Sequence, residues 1–261
     1  MFENCPENPL LDAAGLRKLR SGVNTLSYAG LSIHYQLLAA LGQVSRGQAA
    51  GRKRHLEALQ YLIQYAENCE KFQLEILIGK CPKIKRVQDL KIYTSTDVDS
   101  SLGSTSVLGT DAHARHGYFL FAGIRPDNVA VISGKSQLQT TVALSTCESE
   151  LTAASAAGRA LVGLRNLIHD LFLDKCATAT PILYGDNQAA NKLASGEASL
   201  RHLRHLQLPA VWIRELTANN ELVVRYKNTR CNTADMLTKI LPEETVTTLR
   251  FFLGLKNTSA P

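Results

Sequence analysis

Four acidic residues stand where this chain changes its local structure. Asp97 closes an alternating stretch, "LKIYTSTD", and Glu150 lies in the first turns of a long helical segment, within "LSTCESELTAAS". Asp186 closes the apolar run "PILYGD", and Asp235 opens a helical stretch in "NTADMLTK". Each has an ordinary structural explanation. Asp97 suits a turn. Negative charge early in a helix, as at Glu150, is favoured by the helix dipole. Asp186 and Asp235 suit helix caps, because their side chains accept hydrogen bonds from free backbone N–H groups. Together the four point further. Carboxylates gathered at one place repel strongly unless a cation neutralises them. Oxygen ligands without His or Cys select Mg²⁺ or Mn²⁺. Two such ions, roughly 3.5–4 Å apart, form a centre that cleaves phosphodiesters.

For these residues to meet, the elements must bring them together. Residues 10–79 read as helical, most clearly in "RHLEALQYLIQYAENC", where Leu56, Leu59, Leu62 and Ile63 recur at steps of three and four. The break "SRGQAAGRKRHL" groups Arg52, Lys53 and Arg54, which suit a solvated helix start better than a phosphate contact. The basic stretch 80–90, with Pro82, reads as a linker. Strand signals follow in "LKIYTSTD", "HGYFLFAG", "NVAVIS" and "TTVALS". The stretch "SSLGSTSVLGTDAHARHG" between the first two reads as a loop. A long helix is predicted over "CESELTAASAAGRALVGLRNLIHDLF", then the strand "PILYGD" and its helix. "HLQLPAVWIRELTANN" is a further helix with Pro209 near a kink or break. "ELVVRYK" is a strand, and "NTADMLTKI" and "PEETVTTLRFFLG" are short helices. From about residue 86 the order is three strands, helix, strand, two helices, strand, helix. That order makes a mixed sheet covered by helices. If its first and fourth strands are neighbours, Asp97 and Asp186 end near each other, and the helix after the third strand can aim Glu150 at the same point.

The bulk properties are compatible with this. The 261 residues suffice for one large domain or two modest ones, and 45 % hydrophobic with 20 % charged residues is ordinary for a globular chain. No apolar run is long enough to span a membrane, and "MFENCPENPLLDAAG" lacks the pattern of a signal peptide, so an intracellular protein is expected. The net charge of +6 favours a polyanionic partner. The six cysteines have no C-x-x-C pairing or zinc spacing and read as reduced thiols.

Several motifs carry a resemblance. "STDVD", the run "ARHGYFLFAG…VISGKSQLQTTVALSTCESELTAAS", "LYGDNQAA", "LRHLRHLQLPAVWIRE" and "NTADMLTKIL" occur in this order. Over about residues 88–242 they resemble the ribonuclease H domain of copia-like (pseudoviral) LTR retrotransposon polyproteins. The helical stretches before them resemble the segment that joins reverse transcriptase to ribonuclease H in the same polyproteins. The polymerase's paired-Asp motif is absent, so the chain looks like the C-terminal portion of such a polyprotein or a gene derived from one. It departs from the family at "DVDSSLG", where an aromatic residue and Ala-Gly usually follow the first motif. It departs also at Leu151, where Tyr is usual, and at Gly134, where Trp is usual. "YKNTRCNTAD" has no His before the last acid.

The resemblance implies an α/β fold: a ribonuclease H-like mixed five-stranded sheet flanked by helices, preceded by a small helical segment. Residues 1–85 would form that segment and 86–256 the ribonuclease H-like domain. It implies an endoribonuclease that hydrolyses the RNA strand of RNA–DNA hybrids with two Mg²⁺ ions, for which Mn²⁺ can substitute. The catalytic and metal-binding positions carry over as Asp97, Glu150, Asp186 and Asp235. Asp99 rivals Asp97, because period two puts both on one strand face. Glu148 also matches a family acid, but Glu150 precedes Leu as the metal ligand does. Lys135, Ser136, Gln137, Ser145, Asn187 and Arg204 are the nucleic-acid-binding candidates, with Arg201 as a further phosphate contact. His202 and His205 suit surface or packing roles, and Trp212 suits the core. A polymerase domain is the implied partner, and the implied place is the cytoplasm, in a virus-like particle, or the nucleus. Three other readings stand beside this one. They are a non-catalytic hybrid-binding or structural remnant, an integrase-like transferase, and a plain interaction module in which every acid is a cap.

Overall fold

The computed structural model describes residues 8–69, 72–74, 90–99, 113–125, 128–172, 179–199 and 207–257. Three helices come first: α1 (Ala13–Ser32), α2 (Leu37–Val44) and α3 (Lys53–Asn68). Asp12 caps α1 by accepting from Gly15 N at 2.7 Å. Their apolar faces meet in a core of Leu19, Val23, Leu26, Leu37, Leu41, Leu59 and Leu62, as the spacing of three and four requires. The expectation of helix over 10–79 fails at β1 (Phe72–Leu74), which pairs antiparallel with β7 (Leu255–Asn257). Pairing with a distant segment overrides the local pattern there.

The main sheet has five strands: β2 (Lys91–Asp99), β3 (Arg115–Arg125), β4 (Asn128–Leu138), β5 (Ile182–Gly185) and β6 (Val223–Tyr226). Their order is β4-β3-β2-β5-β6. The first three are antiparallel neighbours, and β5 and β6 add on parallel to β2. Between them run α4 (Thr146–Phe172), α5 (Gln188–Ser195) and α6 (Gln207–Ala218), followed after β6 by α7 (Asp235–Thr238) and α8 (Glu243–Phe252). This is a mixed five-stranded sheet, flanked by helices and preceded by a helical segment, as the order of elements in the sequence implies.

The sheet has two covered faces. On one, Tyr118, Leu120, Ile92 and Leu183 pack against Leu151, Ala157 and Leu161 of α4 and Ala210 and Ile213 of α6. On the other, Phe119, Phe121 and Val131 meet Met236 and Leu237 of α7, Leu249 of α8, Leu38 of α2 and Tyr35 just before it. Tyr35 and Phe119 stack edge to face with centroids 4.8 Å apart. The helical segment thus shares a core with the sheet. The expected division near residue 85 lies outside the described residues.

Three further expectations change. Thr140–Ser145 is not a strand: β4 runs on through Leu138, and the following loop is held to the start of α4. There Ser145 Oγ accepts from Glu148 N at 3.2 Å, and Glu148 Oε2 accepts from Leu144 N at 2.7 Å. Pro209 is the third residue of α6, in its first turn, where no N–H is required. Trp212 is half-buried at the edge of the core, against Gly158.

Candidate metal centre

β2 brings Asp97 to the site, but not as its closing residue, since the strand continues through Asp99. Asp97 is 1 % exposed. Its cross-strand partner is Gly117 on β3. A Cβ at Gly117 would lie 2.5 Å from Leu237 Cβ, so this glycine lets α7 rest directly on the sheet. Asp235 opens α7 and therefore sits beside Asp97. The helix expected over "NTADMLTKI" is only four residues long, preceded by a 3-10 turn at Thr229–Cys231. Buried Asn232 ties this stretch down: its Oδ1 accepts from Ser95 Oγ at 2.6 Å, and its Nδ2 donates to Thr96 O at 2.9 Å.

Asp186 follows β5, which lies parallel beside β2. It does not cap the next helix. Asn187 does, accepting from Ala190 N at 3.1 Å. Asp186 Oδ2 instead accepts from Thr229 Oγ1 at 3.1 Å, which leaves the carboxylate facing the sheet end. A Cβ at Gly185 would lie 2.7 Å from Asn191 Oδ1, so a side chain there would push aside the amide that donates from Asn191 Nδ2 to Gly185 O.

Asp97, Asp186 and Asp235 each offer a carboxylate oxygen within 4.8 Å of the others. Glu150, five residues into α4, is close enough to feel all three. Burial, then the charges of Asp97 and Asp186, push its carboxyl up to about 9. Burial and Asp97 likewise push Asp235 up to about 7. Burial raises Asp97 against the pull of Lys239 and Thr238. Proton uptake without a counter-ion is what crowded carboxylates do. Their oxygens, with no His or Cys in the group, are the donor set that Mg²⁺ or Mn²⁺ takes. The residues present therefore fit the implied ions.

The rival acids part company. Asp99 lies opposite Arg115 across the ladder, and its charge acts on that guanidinium. Glu148 is buried and holds the Leu144 N–H. The other sequence candidates are spread out. Lys135 and Gln137 are exposed on the edge strand β4. Ser136 points to the opposite face, donating to Leu237 O at 2.6 Å and accepting from Arg115 Nη1 at 3.1 Å. Ser145 and Asn187 are helix caps at the two loops flanking the acids. Arg201, His202, Arg204 and His205 lie outside the described residues.

Two residues at this centre were not singled out by sequence reasoning. Thr238 Oγ1 donates to Asp97 Oδ2. Lys239 Nζ lies 3.0 Å from Asp97 Oδ1 and 3.3 Å from Asp235 Oδ1. Burial lowers the Lys239 ammonium's pKa, but the two aspartates outweigh it and raise the value overall. The Asp235–Lys239 spacing of four was a legible signal on a helix.

Comparison with known proteins agrees with the motifs. The chain is 29 % identical over 239 residues to the retrovirus-related Pol polyprotein from transposon TNT 1-94 of Nicotiana tabacum, covering 90 % of this chain and 16 % of that one. It is 25 % identical over 230 residues to the transposon Ty1-JR2 Gag-Pol polyprotein of Saccharomyces cerevisiae, covering 88 % and 12 %. The chain is thus similar in sequence to a part of these retrotransposon polyproteins. It spans about a sixth or less of their length. No family model matches it. Among solved structures, RNase H1 from the halophilic archaeon Halobacterium salinarum is similar, with a TM-score of 0.41 and 18 % identity, over 60 % of this chain and 98 % of that one. Among the described residues, no helix is long and apolar enough to cross a membrane.

Proposed function

We propose that this chain is a metal-dependent ribonuclease H that cuts the RNA strand of RNA–DNA hybrids, and that it serves the reverse transcription of a retrotransposon. The observation that carries the reading is the cluster of carboxylates from β2, from the residue after β5 and from the start of α7, two of them buried. Two Mg²⁺ or Mn²⁺ ions held there would supply an activated water and charge stabilisation for the leaving oxygen. The chain's own residues supply the rest. Asp97 and Asp235 give the most enclosed oxygens, positioned by Thr238 and by Asn232 through the backbone of β2. Asp186, half-buried and held by Thr229, gives the open side. Glu150 completes the set from α4. Ser145 and Asn187, at the flanking loops, keep side-chain hydrogens free to meet a 2′-hydroxyl, the group that separates RNA from DNA. Lys135 and Gln137 on β4, and Arg204, suit backbone contacts. In this reading residues 1–85 form a helical unit in front of a ribonuclease H-like domain of residues 86–256, and a polymerase domain is its partner in the cytoplasm or nucleus.

One observation favours a second reading, a non-catalytic remnant that retains hybrid binding. The Lys239 ammonium itself neutralises part of the acidic group. A labelled RNA–DNA hybrid, incubated with Mg²⁺ or Mn²⁺, separates the two. Cutting of the RNA strand alone, reduced at least about a hundredfold in Asp186→Asn, supports the enzyme. Binding of hybrid without cutting under any metal supports the remnant.

A further inference from the structure

Lys239, the residue that follows α7 and caps it, brings a cation into the acidic group beside Asp235. The two are four residues apart, and Thr238 between them holds the second oxygen of Asp97. The ammonium and a divalent ion make the same demand. Lys239 contacts Asp97 Oδ1 and Asp235 Oδ1, so its charge falls on two of the acids that would hold the ions. Its burial differs from theirs. The Lys239 side chain is 31 % exposed, whereas that of Asp97 is 1 % exposed. The ammonium thus reaches in from the solvent side on a flexible four-carbon stem, and water is open to it when it withdraws. The aspartates have no such exit.

We propose that Lys239 is the chain's built-in counter-cation for this centre. It holds Asp97 and Asp235 together while no divalent ion is bound, and it leaves them when one binds. The inference rests on the reading that these acids hold Mg²⁺ or Mn²⁺ and deepens it. It assigns the metal-free state an organised site rather than a set of repelling charges. It also makes metal uptake an exchange of cations, so affinity is traded for order in the empty site.

Calorimetric titration of Mg²⁺ and of Mn²⁺ into the wild-type chain and into Lys239→Gln tests this, with melting temperatures in EDTA and in saturating Mg²⁺. The variant should bind Mg²⁺ about tenfold more tightly, the size of one lost competing charge contact. It should melt below wild type in EDTA and gain more from Mg²⁺. Folding only when metal is present would carry the same meaning. Equal affinities and equal metal-induced shifts would overturn the inference. A wild-type chain that takes up neither ion would instead remove the metal-centre reading beneath it. If Lys239→Gln does not fold under either condition, wild-type chain with ¹³Cε-labelled lysine decides. The Lys239 signal, identified by its absence in Lys239→Arg, should shift and sharpen as Mg²⁺ saturates. A signal that stays put at saturation would overturn the proposal.

Discussion

At the scale of single residues, the site is surrounded by groups whose charge is set by burial. His116 on β3 is the clearest. It is 7 % exposed, and burial, with Lys135, Arg115 and Arg159 nearby, pushes it down to about 4 from 6.5. A lowered histidine value means that the folded chain holds fewer protons than the unfolded chain between those limits. The stability it contributes is complete above pH 6.5 and is lost as pH falls through 4. Denaturant unfolding between pH 7 and pH 4 should show a loss on the order of 1–3 kcal/mol that His116→Gln lacks. An unchanged pH profile in that variant would assign the loss to other groups. The same scale separates what was legible in the sequence from what was not. Asp97, Glu150, Asp186 and Asp235 stand out because each stands near a change of local pattern, although β2 runs two residues past Asp97. Asp97 and Asp99 were indistinguishable by period. Only the cross-strand register, which sets Arg115 opposite Asp99 and Gly117 opposite Asp97, tells them apart.

At the scale of elements, α7 decides the site. It is four residues long and cannot be stable by itself; it exists because it lies on the sheet over Gly117 and is tied by Asn232. Gly117→Val should therefore lower stability by about 2–3 kcal/mol and weaken metal uptake as well, because Asp235 moves with the element. Gly163→Ala is the control. That glycine is exposed on α4 with nothing within 4 Å of a Cβ. The change should be neutral or stabilise by up to about 1 kcal/mol. Thermal melts of both variants check the pair. A Gly117→Val chain as stable as wild type would mean that α7 is not seated as described. The sheet and the long helix α4 could be read from period two and from helical spacing. The pairing of Asp235 with Lys239 was legible from their spacing, but the contacts of Thr238 and Lys239 with Asp97 were not, because they depend on where a short helix lands across a sheet more than a hundred residues away in sequence.

At the scale of the molecule, the helical segment is part of the sheet's core. Tyr35 packs on Phe119, and Leu38 faces the same cluster as Met236 and Leu237 of α7. Buried Arg250 of α8 pairs with Glu243 at 3.0 Å and lies 3.5 Å from the hydroxyl of Tyr65 on α3. Tyr35→Ala should cost about 3–5 kcal/mol, and chemical denaturation should remain a single transition if the two parts unfold together. Two separate transitions in the wild type would show instead that the helices and the sheet are independent units. The pairing of β1 with β7 has a consequence in time. Phe72–Leu74 leaves the ribosome long before Leu255–Asn257 does. During synthesis the three helices can form as they emerge, while β1 has no partner strand until the last residues of β7 have been made. The finished structure is thus latched from its far end, and a chain stopped before residue 255 would carry an open edge next to its helices.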